Sequence, residues 1–158
     1  MSDIVEITSG QDIYERERTD GNTPYLTATA SNNGIGYFVS NNNDTLESDC
    51  LSVNRNGSVG NCFYHPYPAL YSNDTRKLRL RRKSKYAALF VSLAITKQKG
   101  VYGYGLKMGT GRLKKLQIIL PATETEEPHW EWMESLMREL EQDAILSYLK
   151  SIQKRLRS

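Results

Sequence analysis

The chain has 158 residues, of which 39 % are hydrophobic and 25 % are charged, so it suits one folded domain of about 100 to 150 residues with an appendage. No apolar run approaches the roughly 18 residues of a membrane span, and residues 1–6 lack the pattern of a secretory signal, so we expect a cytoplasmic protein without a membrane partner. The net charge of +3 conceals a strong segregation, with ten acids and three bases in residues 1–75 but thirteen bases and no acid in residues 76–115.

The first 75 residues are rich in Asn, Gly, Thr, Ser and Tyr. Short alternating apolar runs over residues 37–39, 51–53 and 62–64 are separated by Asn-Gly turns. This composition predicts strands joined by turns.

The basic segment 76–115 combines a predicted strand over residues 77–80 with a predicted helix over residues 86–98. A glycine-rich loop follows, and the alternation of residues 116–121 predicts a closing strand. Because apolar residues are interleaved with the cations, the segment is folded, and its charge favours a surface for nucleic acid. The alternative is a solvated face that balances acidic neighbours.

The last segment begins with acidic residues 124–127 and continues from His129 to Ser158 without Gly or Pro, which predicts one long helix with Pro128 in its first turn. Apolar residues recur along it at three- and four-residue steps, as in a coiled-coil seam. The predicted dimerisation residues are Met133, Met137, Leu140, Ala144, Tyr148, Leu149, Ile152 and Leu156. The alternative is a helix folded back on its own domain. We therefore divide the chain into a domain over 1–122 and an acidic connector with a dimerisation helix over 123–158.

Several kinds of chemistry are missing from the sequence. Cys50 and Cys62 form no C-x-x-C pair, which disfavours a zinc site and predicts two buried free thiols. The loop 101–112 lacks both the P-loop and the G-x-G-x-x-G patterns. No serine, histidine and acid stand in a known catalytic motif, so we expect no cofactor, no metal and no catalytic residue.

Ordered motifs make the chain resemble a known family. They are residues 24–39 (PYLTATASNNGIGYFV), 52–60 (SVNRNGSVG), 71–80 (YSNDTRKLRL), 107–113 (KMGTGRL) and the Leu120-Pro121 pair. The sequence over about residues 4–150 resembles the target-recognition domain of specificity subunits in restriction-modification systems, of the BcgI type and the type I type.

The resemblance implies a small, β-rich α+β domain followed by a long helix that pairs as an antiparallel coiled coil. It also implies a non-catalytic protein that recognises double-stranded DNA for separate methyltransferase, and possibly restriction, subunits. Two features depart from the family. Residues 120–133 replace the usual Leu-Pro-Pro-Leu-x-Glu-Gln, and one recognition domain is present instead of two. We therefore expect a half-subunit that homodimerises, or one half of a longer product.

Base-edge and phosphate chemistry select the candidate DNA contacts, because Asn pairs with adenine, Arg pairs with guanine and cations hold phosphates. The predicted contacts are Asn32, Asn33, Arg55, Asn56, Ser58, Arg76, Lys77, Tyr104, Lys107, Thr110 and Arg112. For Asn32 and Asn33 the alternative is that they merely tolerate left-handed turn geometry. For the whole chain the alternative is a decoy that occupies a methyltransferase without reading DNA.

Overall fold

The computed structural model describes residues 1–101 and 107–157. Within them, the strands are β1 (Val5–Ser9), β2 (Asp20–Leu26), β3 (Ile35–Val39), β4 (Cys50–Asn54), β5 (Cys62–His65), β6 (Leu70–Tyr71) and β7 (Thr75–Leu80). The α-helices are α1 (Lys85–Thr96), α2 (Thr110–Lys115) and α3 (Trp130–Leu156), and 3-10 turns cover Glu15–Glu17, Asn32–Gly34 and Lys97–Val101. The strands predicted over residues 37–39, 51–53, 62–64 and 77–80, the middle helix and the long final helix are therefore confirmed.

The strands form two sheets. One sheet has the antiparallel order β1-β7-β4-β5, and the other has the order β3-β2-β6, in which β2 and β6 are parallel. The alternation of β7 places Leu78 opposite Leu51 of β4 on the apolar face, whereas Lys77 lies opposite Ser52 on the other face. This mixed arrangement with a long final helix is the α+β class predicted from the sequence.

The main core lies between the first sheet and α1. Leu51, Leu78, Val91 and Ile95 are fully buried there. A second cluster, which includes Leu26, Cys50 and Tyr71, joins the two sheets. Both cysteines are buried free thiols, as predicted. Burial raises the pKa of Cys50 to about 12, so this thiol is unreactive at neutral pH.

The predicted closing strand over residues 116–121 is wrong. Leu116 has extended backbone angles, but residues 116–120 belong to no strand, and a helix absent from the prediction, α2, precedes them. Leu116 and Ile118 pack against the main core, and the Met1 amine donates to the Leu116 carbonyl at 3.1 Å. Alternating apolar and polar residues indicate a segment with one buried side. A segment that lies on the core without pairing to a strand produces the same alternation.

The start of α3 also differs from the prediction. Pro128 precedes the helix and bridges Ala122, and His129 is the N-cap, whose ring nitrogen accepts from the Trp132 amide. Pro128 is therefore the last residue of the connector before the N-cap, whereas the His129 side chain accepts a hydrogen bond from an otherwise unpaired amide of the first turn.

The first three turns of α3 pack against α1 and against the residues that precede α1. Met133 is completely buried within the chain, and Trp132 meets Phe90 edge-to-face. Ion pairs join Arg82 to Glu131 and Glu134, and Lys85 to Glu141. The folded-back alternative is thus right for this half, and Met133 belongs to the domain interior instead of a dimer seam.

The remainder of α3 extends away from the domain. Leu140, Tyr148, Leu149 and Leu156 are about half exposed or more, between 48 % and 82 %. None of the helices within the described residues combines the length and apolar character that a bilayer span requires.

Candidate nucleic-acid interface

Three loops meet at the end of β4 and the start of β7. They are the β4–β5 turn, the β6–β7 turn and the loop before α2. The loop before α2 is tied to the β4–β5 turn, since the Met108 amide donates to the Arg55 carbonyl at 3.3 Å. The same turn is tied to the β6–β7 turn, because the Arg55 amide donates to the Asp74 carbonyl at 2.8 Å. The main chain therefore brings residues 55, 74 and 108 together from distant parts of the sequence.

Asp74 is the hub of this junction, and the sequence analysis missed it. Its Oδ1 accepts from Asn56 Nδ2 at 2.7 Å and from Arg55 Nη2 at 3.1 Å. Partial burial by itself favours the neutral acid, but the hydrogen bonds from Asn56 and Arg55 and the charges of Arg55 and Lys107 outweigh it and lower the pKa of Asp74. Asp74 is therefore ionised at neutral pH, beside two predicted base-reading residues.

Arg76 links β7 to α2 from inside the protein. It is 5 % exposed, its Nε donates to Thr110 Oγ1 at 2.9 Å, and its Nη1 donates to the carbonyls of Asn73 and Thr75, both at 2.8 Å. These contacts hold the β6–β7 turn and the start of α2 in place. Arg76 is therefore an internal support of the junction, whereas Thr110, which accepts its hydrogen bond, is half-buried.

Lys77 points between the two sheets. It is 7 % exposed, and its ammonium binds the Glu47 carboxylate at 2.7 Å and the Thr45 carbonyl at 3.2 Å. Arg76 and Lys77 were predicted to contact phosphates, but their burial gives both side chains internal partners. Adjacent residues of a strand point to opposite faces, so both cations are solvated only where both faces are open, and β7 is covered on both faces at residues 76 and 77.

Exposed cations between residues 99 and 115 form what we call the basic rim. Its members are Lys99, Lys107, Arg112, Lys114 and Lys115. Arg112 Nη1 donates to the Lys107 carbonyl at 2.7 Å, which fixes the loop before α2. Lys99 packs on Gly60, where an added Cβ would lie 2.9 Å from the lysine Cβ. Lys99 and the loop from Lys107 therefore lie beside the β4–β5 turn, and Lys114 and Lys115 extend the rim to the end of α2.

Asn32 and Asn33 lie in the 3-10 turn before β3 with φ angles of 49° and 55°. The left-handed geometry weighed as the alternative is present, and both side chains are also exposed. The preceding segment joins the β4–β5 turn, because the Ser58 amide donates to the Ala28 carbonyl at 3.1 Å and Asn54 donates to the Thr29 carbonyl. This loop therefore lies next to the junction. Tyr104, also predicted as a contact, lies outside the described residues.

Other cations of the basic segment balance carboxylates, as the alternative for that segment predicts. Arg79 pairs with Glu6 and Glu47 on the sheet, whereas Arg82 and Lys85 pair with acids of α3. Some cations of the segment are therefore buried, some form ion pairs with carboxylates on the surface, and the basic rim is exposed. A count of charges in the sequence cannot separate these three groups.

A buried Ser–His pair lies between the sheets. Ser52 Oγ is 2.8 Å from His65 Nε2, and the other ring nitrogen is 3.3 Å from the Tyr67 hydroxyl. Burial lowers the pKa of His65 to about 4, so the ring is neutral. Among the described residues, no carboxylate bonds this ring and no cluster of potential metal ligands occurs. The pair satisfies two buried polar side chains with each other's hydrogen bond.

The family model of the type I restriction modification DNA specificity domain matches residues 1–151. The chain belongs to this family. It is 38 % identical over 147 residues to the type II restriction enzyme BgcI specificity subunit S.BcgI of Heyndrickxia coagulans, a match that covers 92 % of this chain and 43 % of the relative.

Solved structures share the specificity-domain fold. The type I S subunit of M. genitalium superposes with a TM-score of 0.63 at 21 % identity, covering 98 % of this chain and 42 % of that one. The HsdS subunit of Thermoanaerobacter tengcongensis gives 0.64 at 13 % identity, covering 96 % and 38 %. The fold of the specificity domain therefore includes α3, and this chain spans about two fifths of the length of these relatives.

Proposed function

We propose that this specificity domain reads DNA sequence for a restriction-modification system and directs separate methyltransferase or endonuclease subunits to the target. Family membership supports the proposal, and the junction at Asp74 is the observation that carries it. Asn56 and Arg55 supply donors suited to base edges, and the basic rim supplies cations suited to phosphates. Nothing in the described residues favours a decoy that leaves DNA unread.

The chain itself carries out neither methyl transfer nor cleavage in this proposal. Its buried Ser–His pair faces no open site, and a neutral, enclosed imidazole is a poor general base for an external substrate. The purified chain with S-adenosylmethionine alone should therefore leave DNA unmethylated, and methylation under those conditions would contradict the assignment. Two unreactive free thiols suit a reducing compartment, so we place the protein in the cytoplasm.

The exposed half of α3 is the proposed dimerisation element, paired with a second copy or a second domain of the same kind. Glu131, Glu134 and Glu141 form ion pairs within the chain, so other charged residues must set the direction of helix pairing. An antiparallel pair that crosses near Tyr148 sets Glu139 of one helix beside Arg157 of the other. That arrangement retains opposite charges at the ends of the seam.

Antiparallel pairing places one recognition domain at each end of the helix pair. With a crossing near Tyr148, the two Met133 residues lie about 30 residues apart along the helix pair. At about 1.5 Å per residue this is roughly 45 Å, which corresponds to half-site centres on the order of 13 base pairs apart. The expected target is two inverted half-sites separated by an unread spacer.

Selection of bound sequences from random duplex DNA tests the proposal, using the chain with its cognate methyltransferase subunit. The expected result is a bipartite, inverted sequence and binding that weakens with salt. A single unbroken sequence would contradict the spacing, and absence of enrichment together with salt-independent binding would contradict DNA reading itself.

A further inference from the structure

We propose that Asp74 is a positioning residue that fixes the Arg55 guanidinium for reading a guanine in the DNA half-site. The inference rests on the proposed DNA-reading function and goes further, because it names the base and the residue that orients its reader. The contacts of Arg55, the anchoring of Asp74 and the charge between them carry the argument.

The Arg55 guanidinium is held along one edge and available along another. Its side chain is 26 % exposed, Nη2 bonds Asp74, and Nε is buried without a hydrogen-bond partner. Within the described residues, Nη1 has no hydrogen-bond partner. Each terminal nitrogen carries two hydrogens, so Nη2 retains one after binding Asp74. The guanidinium therefore keeps two hydrogens on Nη1 and one on Nη2, enough donors for the O6 and N7 acceptors of guanine.

Asp74 stands on a firmly anchored turn. Asp12 Oδ1 accepts from the Asn73 amide at 2.9 Å, and Arg76 Nη1 donates to the Asn73 carbonyl at 2.8 Å. The Asp74 carbonyl also receives the Arg55 amide at 2.8 Å. Main chain and side chain of Arg55 thus depend on one rigid turn, which lowers the conformational entropy lost when the arginine engages a base.

The charge of Asp74 distinguishes a base contact from a phosphate contact. A phosphate that approached Arg55 would meet the Asp74 carboxylate, which already shares the guanidinium charge. The major-groove edge of guanine carries no net charge and offers acceptors, so the carboxylate repels it far less than it repels a phosphate. The neighbouring basic rim, with Lys107 and Arg112 exposed, is better suited to the phosphates.

The test replaces each guanine of the selected half-site in turn by 7-deazaguanine, which lacks the N7 acceptor. We compare the wild type with Arg55→Ala, Asp74→Asn, Asp74→Glu and the control Asp12→Asn. In the wild type, one position should lose affinity by about tenfold. Arg55→Ala and Asp74→Asn should reduce that loss to less than about twofold, whereas Asp12→Asn, which alters the same turn without touching Arg55, should retain it.

Binding to random DNA separates positioning from general structural damage. Asp74→Asn removes a negative charge near the phosphates, so its affinity for random DNA should equal or exceed that of the wild type, whereas a misfolded domain would lose both. Asp74→Glu should recover part of the guanine dependence, because it restores the carboxylate. Full wild-type sensitivity in folded Asp74→Asn, or no sensitive guanine in the wild type, would overturn the inference. A wild type without salt-dependent duplex binding would overturn the proposed function, and this inference with it.

Discussion

Met133 is completely buried, whereas Leu149, about four turns later on the same predicted seam of α3, is 48 % exposed. One helix therefore serves two structural purposes. Its first half completes the domain against α1, and its second half presents apolar side chains to solvent.

We expect mutations in the two halves of α3 to have different effects on stability. Met133→Ala should lower the free energy of unfolding by about 2–5 kcal/mol, because it opens a cavity in a packed interior. Leu149→Ala should change it by less than about 0.5 kcal/mol in the monomer. Urea denaturation at a low protein concentration measures both values. Equal losses in the two variants would show that the distal half also packs within its own chain.

The exposed half of α3 should control assembly. The double variant Leu140→Glu and Leu149→Glu should sediment as a monomer with unchanged helix content, because charges cannot be buried in an apolar seam. Gln142→Glu, an exposed polar position on the same helix, is the matched control and should leave assembly intact. A wild type that stays monomeric at high micromolar concentration would contradict self-association.

The basic rim should set the salt dependence of DNA binding. Five cations in contact with phosphates give a log–log slope of affinity against salt of about −4 to −5. Lys107→Glu with Arg112→Glu should bring the slope closer to zero by about two and weaken binding to target and random DNA alike. Lys83→Glu is the control, since Lys83 is exposed beyond the opposite end of β7. A slope near zero in the wild type would contradict the electrostatic assignment.

Stability should fall as the pH decreases from about 6.5 towards 4. The pKa of His65 is about 4 in the folded protein against an ordinary 6.5, so the unfolded chain binds a proton more readily. The stabilisation is complete above pH 6.5, and up to about 3 kcal/mol is lost as the pH falls to 4.

Replacement of the imidazole isolates this contribution. His65→Asn should lose the pH dependence between 6.5 and 4, whereas Ser52→Ala should keep it, because burial and not the serine hydrogen bond lowers the pKa. Denaturant midpoints measured across this interval check both variants. Unchanged pH dependence in His65→Asn would assign the effect to other groups.

The sequence predicted the elements well where local patterns determine them. Alternation identified the strands that contain Leu51 and Leu78, and the unbroken run after His129 identified α3. Alternation failed at Leu116 and Ile118, because burial against a core produces the same pattern with or without a paired strand.

The candidate site was predicted only in part, because its organisation depends on tertiary contacts. The turn that contains Arg55 and Asn56 can be predicted from its Asn-Gly dipeptide, whereas Asp74 gains its role from backbone hydrogen bonds across the domain. The burial of Arg76 and Lys77 depends on Thr110 and Glu47, which no spacing rule connects to them.

The shared carboxylate at Asp74 constrains how such a domain can evolve a new target. A mutation at Arg55 alone leaves an ionised acid among the basic rim without its guanidinium partner, so it weakens binding before any new base is read. Changes at positions 55 and 74 are therefore expected to be epistatic. A substitution at one position keeps DNA binding mainly when the other position changes with it. Laboratory libraries that randomise both codons together should yield altered specificities that libraries limited to either codon miss.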